Sequence, residues 1–237
     1  MRRIERKQAT RVGRERRHAR TRWIAIGSAL MLAAAGLIGW TIYRAQQPAT
    51  YATPAQVDND GGPDGGILAA SEGGSVPVEV YFDFMCVACK QFEAALTPTL
   101  NRLLAEKKIT LVWHPVNLLD GLSVPAGYST RAASAAGCAA ATGRLKAYGE
   151  ALFDRQPAPG GPGLNDDQLV DLGGLVGLNA PAFAKCVRAL PYRDWVNHVS
   201  ALAGLRAVTR TPALYVAQHR LAAPTPATLT AAVATLS

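Results

Sequence analysis

A run of β-branched and aromatic residues, Val76-Pro77-Val78-Glu79-Val80-Tyr81-Phe82-Asp83-Phe84, leads almost directly into Cys86-Val87-Ala88-Cys89, and a helical pattern follows over residues 90–106. The first stretch reads as a strand. The second carries apolar residues at Ala94, Leu96, Leu100, Leu103 and Leu104, as an amphipathic helix requires, with Pro98 expected to kink it. A strand feeding a helix through a paired-cysteine turn constrains the fold more than any other feature of the chain. It puts Cys86 at a helix N-terminus, where unpaired backbone N–H groups and the macrodipole favour a thiolate. The thiolate is the attacking species in thiol–disulfide exchange. Cys89, one turn further on, is placed to close a disulfide with Cys86 or to resolve a mixed disulfide formed there.

The remaining pattern surrounds that junction with α and β elements. Ile67-Leu68-Ala69 reads as a short first strand, and residues 109–114 as another, which Pro115 ends or confines to a sheet edge. Residues 128–207 are helical in pattern, with helices expected over 129–141, 144–153, 166–176, 181–190 and 192–208, the third capped by Asn165 or Asp166. A hairpin over 213–217 and 219–221 follows, then a closing helix over 226–236, with Thr225 as its N-cap and Pro226 at its first position.

Charge separates the N-terminus from this part. Residues 1–22 hold ten Arg/Lys against two Glu, and residues 45–237 hold fourteen Arg/Lys against fifteen Asp/Glu. The net charge of +8 therefore belongs to a short basic arm, and the folded part is near neutral, which argues against nucleic acid as a partner. Residues 23–43 carry no charge. As a helix they would span about 31 Å, close to the roughly 30 Å hydrocarbon core, with Trp23, Trp40 and Tyr43 at the interfaces. This reads as an uncleaved transmembrane helix rather than a signal peptide, because the stretch is long and Arg44-Ala45-Gln46-Gln47-Pro48 offers no clean cleavage site. Arg16-Arg17 as a twin-arginine export signal fits its neighbours poorly. The positive-inside rule then places the N-terminus in the cytoplasm and residues 45–237 outside, in a single-pass cell-membrane protein whose basic arm can also attract anionic lipid. Residues 44–65, rich in Gly, Pro and Gln, read as a linker.

An exported domain with four cysteines allows full pairing in any of three connectivities. Cys138 and Cys186 lie on different expected helices without CxxC partners. They read as a structural disulfide pinning two helices rather than as a second redox relay. A zinc site on Cys86 and Cys89 would need two more ligands, and His18, His114, His198 and His219 show no paired spacing, so no metal site is expected. His114 reads as a satisfied or exposed strand-end histidine rather than a proton shuttle. Tyr81, Phe82 and Phe84 read as core. Met85, beside the nucleophile, reads as a substrate contact. Asp83 and Glu93 read as solvated carboxylates rather than groups that tune Cys86.

Phe82-Asp83-Phe84-Met85-Cys86-Val87-Ala88-Cys89, followed by Lys90-Gln91-Phe92, resembles the active-site segment of DsbA-like proteins of the thioredoxin superfamily, and Thr211-Pro212 before the late strand resembles their cis-proline loop. The resemblance covers about residues 66–237. It implies an α/β thioredoxin-like fold, residues 66–127 and 208–237, with an inserted helical domain, residues 128–207. It implies Cys86 as nucleophile, Cys89 as resolving thiol, a cis Pro212 facing the disulfide, and Thr211 offering backbone hydrogen bonds to an extended substrate. Relatives of this kind carry a second bridge comparable to Cys138–Cys186. The activity implied is thiol–disulfide exchange without an organic cofactor, in the direction of oxidising exported proteins, with a membrane partner to reoxidise the pair. The alternatives are a reductase or isomerase, and a non-catalytic membrane-tethered binding module. Two positions depart from the pattern. The dipeptide is Val87-Ala88, without the Pro or His of strongly oxidising members. The position six before the first cysteine, where many relatives place a buried acid, is Val80, while Glu79 points to the other face of the strand.

Overall fold

The computed structural model describes residues 31, 35–40, 51–57, 65–71, 73–178 and 181–236. They fall in two compact units, residues 1–50 and 51–237. In the first, residues 35–40 are helical and exposed. No helix among the described residues is long and apolar enough to cross a membrane. Most of the span expected over residues 23–43 lies outside the described residues.

The second unit is built on a five-stranded sheet. Its strands are β1 (Ile67–Ser71), β2 (Val76–Phe82), β3 (Ile109–Pro115), β4 (Ala213–Val216) and β5 (His219–Arg220), in the order β1-β3-β2-β4-β5. The central pair β2–β3 is parallel, in a register that sets Val80 beside Trp113 and Tyr81 beside His114, and the other pairs are antiparallel. Pro115 ends β3, and because β3 is central, the edge alternative does not apply. The next residue takes over the ladder, Val116 N–H donating to the Phe82 carbonyl at 2.9 Å. The β4–β5 hairpin turns through Ala217 and Gln218, both with positive φ, as a two-residue turn matched to strand twist demands.

Helix α1 (Val87–Ala105) links β2 to β3 and runs on through Pro98. It starts three residues earlier than the apolar pattern suggests, because Cys86 itself is the N-cap. Between β3 and β4 come α2 (Tyr128–Ala140), α3 (Leu145–Asp154), α4 (Asp166–Leu175), α5 (Pro181–Ala189) and α6 (Arg193–Leu205), the helical insertion, and α7 (Pro226–Ala234) closes the chain. Asn165 and Thr225 cap α4 and α7 through reciprocal capping boxes with Gln168 and Thr228. Cys138 of α2 and Cys186 of α5 form a disulfide across 48 residues of chain.

The insertion is seated on the sheet by aromatic packing. Phe153 of α3 lies 5.6 Å from Phe82 and 5.0 Å from Phe84, centroid to centroid, and Phe82 meets Trp113 edge-on at 5.1 Å. Gly149 lets α3 come this close, since a Cβ there would fall 2.5 Å from the Trp113 ring. Part of the stretch read as linker is also packed. Pro54 is buried, the Tyr51 ring lies 5.1 Å from His198, and Val57 bridges to Ile67. The compact unit therefore begins at Tyr51 rather than near residue 66, because Tyr51 and Pro54 have apolar surface to bury and the backbone of 56–57 pairs with β1.

Candidate active site

The turn from Asp83 to Cys86 joins β2 to α1 and is held from within. Cys86 N–H donates to the Asp83 carbonyl at 2.9 Å, and Met85 N–H donates to Asp83 Oδ1 at 2.9 Å. The other carboxylate oxygen, Oδ2, accepts from Leu119 N–H at 2.9 Å and so ties the turn to the segment after β3. Asp83 is fully buried, against the expectation of a solvated carboxylate, because both oxygens have backbone donors to replace water. Burial pushes its carboxyl up to about 6 against the pull of Ser129 and the Met85 and Leu119 amides, and the nearby Asp120 adds to the rise.

Cys86 is 7% exposed, and its sulfur accepts the Cys89 N–H at 3.2 Å, as an N-cap side chain does. The same sulfur lies 3.4 Å from the carbonyl oxygen of Thr211, 125 residues away in sequence, where the Thr211–Pro212 peptide bond is cis. The loop before β4 thus faces the helix start. The Cys89 thiol holds the Cys86 pKa down to about 6 against the opposing effect of burial, with Thr211 and the Cys89 and Ala88 amides assisting. Cys89 moves the other way: burial and the adjacent Cys86 push its thiol far up. A thiolate at Cys86 beside a protonated Cys89 is the favoured reduced state. This asymmetry lets one sulfur attack and leave while the other keeps its proton.

Two expectations need correction. Met85 is fully buried, so its side chain is not presented to a substrate. The Asp83 clamp on its N–H turns it into the core, and the residue exposed beside the nucleophile is Val87, at 48%. Glu93 is half-buried and accepts the Thr97 hydroxyl at 2.6 Å, and burial raises its pKa. Of the two settings expected for His114, satisfied or exposed, it does not take the exposed one: it is buried and stacked on Tyr81 at 4.2 Å.

Sequence reasoning passed over two groups. The first is an ionic cluster on the sheet face opposite Val80. Glu79 Oε2 lies 2.7 Å from Arg206 and 3.2 Å from His114 Nε2, the latter within ion-pair distance though not aligned as a hydrogen bond. Arg206 also donates to the Tyr81 hydroxyl at 2.9 Å and covers the Tyr215 ring at 4.4 Å. Burial raises the Glu79 carboxyl, but His114 and Arg206 outweigh it and leave the pKa below the ordinary value. Arg206 ends α6 and opens the connection to Thr211, so the cluster anchors one side of that loop. The alternation placing Glu79 and Tyr81 on one face was the available signal. The second is Gln156, just past α3, whose amide donates to the carbonyls of Phe84 at 3.0 Å and Cys86 at 2.9 Å. Nothing in the local sequence marks it. Among the described residues no cluster of three or more His, Cys, Asp or Glu could hold a metal ion.

The family model described as Thioredoxin matches residues 65–235. Among solved structures, the chain is similar to the reduced form of the disulfide bond oxidoreductase DsbG from Mycobacterium tuberculosis, at 28% identity and a TM-score of 0.65 over 73% of this chain and 88% of that one. It is similar to reduced DsbA from the same organism, at 27% identity and a TM-score of 0.63 over 72% and 91% of the two chains. MdbA, a thiol-disulfide oxidoreductase from Actinomyces oris, shares the fold at 24% identity and a TM-score of 0.64 over 79% and 91%. By sequence the chain also matches the serine/threonine-protein kinase PknE of Mycobacterium tuberculosis, 27% identical over 130 residues, which make up 52% of this chain and only 23% of the kinase.

Proposed function

The chain belongs to the thioredoxin family and is a thiol–disulfide oxidoreductase of DsbA type, and from that premise we propose that it works as an oxidase, placing disulfides in exported proteins through Cys86 and Cys89. The observation that supports this direction is the Cys86 sulfur seated under the Cys89 N–H at the start of α1, with its pKa drawn down to about 6. Stabilising the thiolate stabilises the reduced pair, and a pair that is stable when reduced is a strong acceptor of electrons when oxidised.

In the proposed cycle a substrate thiolate attacks Cys86 of the Cys86–Cys89 disulfide. The Cys86–Cys89 bond breaks, a mixed disulfide forms at Cys86, and Cys89 leaves and takes a proton, as its raised pKa favours. A second substrate thiolate then attacks the substrate sulfur of the mixed disulfide, and Cys86 leaves as the thiolate. The substrate loses two electrons and the pair gains them. The low Cys86 pKa speeds this last step, since a more acidic thiol is the better leaving group. Thr211, with its carbonyl beside Cys86, is the residue we assign to backbone pairing with the substrate, and Pro212 bounds the site. The reduced pair is reoxidised by a membrane redox partner.

For location we propose that residues 23–43 anchor the protein in the cell membrane, with the basic arm of residues 1–22 in the cytoplasm against anionic lipid and the C-terminal unit outside, where oxidised cysteines persist. Protease added to intact spheroplasts should digest the C-terminal unit. Protection, or a mature chain starting after Tyr43, would defeat the anchor.

Direction is tested by the Cys86–Cys89 reduction potential of the full-length protein. The reference points are about −120 mV for a strong oxidase and about −270 mV for a thioredoxin-type reductase. Lacking a His in Val87-Ala88, this pair is expected between them and nearer the first, with stoichiometric oxidation of a reduced, unfolded substrate. A value near the second, with fast reduction of disulfides, would favour a reductase or isomerase.

A further inference from the structure

Gln156 lies 70 residues from Cys86 in sequence and outside every cysteine motif, yet its side chain reaches the redox turn. Its backbone is fixed at the end of α3, where its N–H donates to the Phe153 carbonyl at 3.2 Å. From there the side-chain Nε2 donates to the Phe84 carbonyl at 3.0 Å and the Cys86 carbonyl at 2.9 Å, using both amide hydrogens. Phe84 is fully buried, so without Gln156 its carbonyl would lose a partner that water cannot readily replace. The Cys86 carbonyl also accepts the Cys89 and Lys90 N–H groups, at 3.0 and 3.3 Å, and is the first acceptor of α1. Neighbouring contacts fix the approach: Phe153 packs on Phe84, and Lys90 Nζ donates to the Asp154 carbonyl at 3.1 Å.

Asp83 holds the N–H of Met85, the Asp83 carbonyl holds the N–H of Cys86, and the two Gln156 bonds add the carbonyls of Phe84 and Cys86. Carbonyls on both sides of Met85 are pinned, so the peptide planes that aim the Cys86 sulfur cannot rotate freely. We propose that Gln156 is a positioning residue for thiol–disulfide exchange: the helical insertion, through this one amide, holds the turn so that the Cys86 sulfur stays under the Cys89 N–H and beside Thr211. The insertion then acts on the chemistry as well as covering the sheet.

The proposal rests on Cys86 being the attacking thiol. The test is therefore read at Cys86 itself, in the full-length protein, by the pH dependence of its alkylation with iodoacetamide and by its equilibrium with glutathione. Gln156→Met keeps the length and loses both donors. Losing a hydrogen bond of about 1 kcal/mol that favours the thiolate-bearing turn should shift the glutathione equilibrium about fivefold toward a less oxidising pair and raise the alkylation midpoint. Gln156→Glu sets a carboxylate against two carbonyl oxygens and should shift it further, about tenfold, or about 30 mV. Gln156→Lys restores a donor and should recover most of the wild-type value. A role in stability alone predicts a lower melting temperature with both readouts unchanged. Gln156→Met within twofold of wild type on both would overturn the proposal, and Gln156→Glu decides in the same way should the Met form fail to fold. Cys86→Ser retaining exchange would instead defeat the assignment of Cys86 and leave the Gln156 comparison standing as a measurement on that thiol.

Discussion

The molecule holds two cysteine pairs in opposite settings. Cys86 and Cys89 sit three residues apart at one helix start, with backbone donors aimed at the first sulfur and the second pushed to keep its proton. Cys138 and Cys186 sit 48 residues apart on two helices, with the bond between them joining α2 to α5. The first pair is unbonded here, and a bond between its sulfurs would close a loop too short to restrict the unfolded chain much. The second closes a long loop and gains from staying closed. A disulfide's role is thus set by the loop it spans and by what faces its sulfurs.

The largest test of this contrast is at the first pair. Cys86→Ser should abolish exchange, and Cys89→Ser should accumulate mixed disulfides through Cys86, detectable on non-reducing gels. Trapping through Cys138 or Cys186 instead would erase the distinction. Next, Cys138→Ser should lower the unfolding free energy by at most about 4 kcal/mol, the chain-entropy value for this loop, while Cys86 alkylation stays at wild-type rates.

A third test sharpens the electrostatic side. Asp83 binds its proton near pH 6 in the folded protein against 3.8 ordinarily. The stability this gives is complete below about pH 4 and is lost as the pH rises through 6. Asp83→Asn removes that dependence, so denaturation curves should favour the variant increasingly from pH 4 to 6.5, by up to about 3 kcal/mol. A gap that stays constant would show that Asp83 titrates alike in the folded and unfolded chain. The smallest effect is expected at Glu79→Gln, which leaves Arg206 its packing and weakens the ion pair by about 1–2 kcal/mol above the Glu79 pKa, with the loss fading as acid protonates the wild-type carboxylate.

Much of this was legible in the chain because it is local. The alternation of residues 76–82, the caps at Asn165 and Thr225 and the strand–CxxC–helix junction each depend on a few neighbouring residues. What reached across the fold was less visible. Met85 reads as a surface residue until Asp83 is known to be buried, and Asp83 is buried only because the segment at Leu119 returns to cap it. Gln156 and Arg206 gain meaning from partners 70 and 127 residues away. Neither is a residue type whose presence alone signals such a contact, and only the packed insertion reveals it.

The sheet's margins bear on the company this protein keeps. On the proposed function, the protein would meet unfolded chains whose segments can join any open strand. Here β5 is only two residues long, and β1, at the other margin, is interrupted by a bulge between Leu68 and Ala70 and covered in part by the bridge from Val57. Short, broken or covered edges make poor templates for β-addition. If the proposed exchange holds, a client would be held by a single covalent sulfur bond and released without being drawn into a growing sheet.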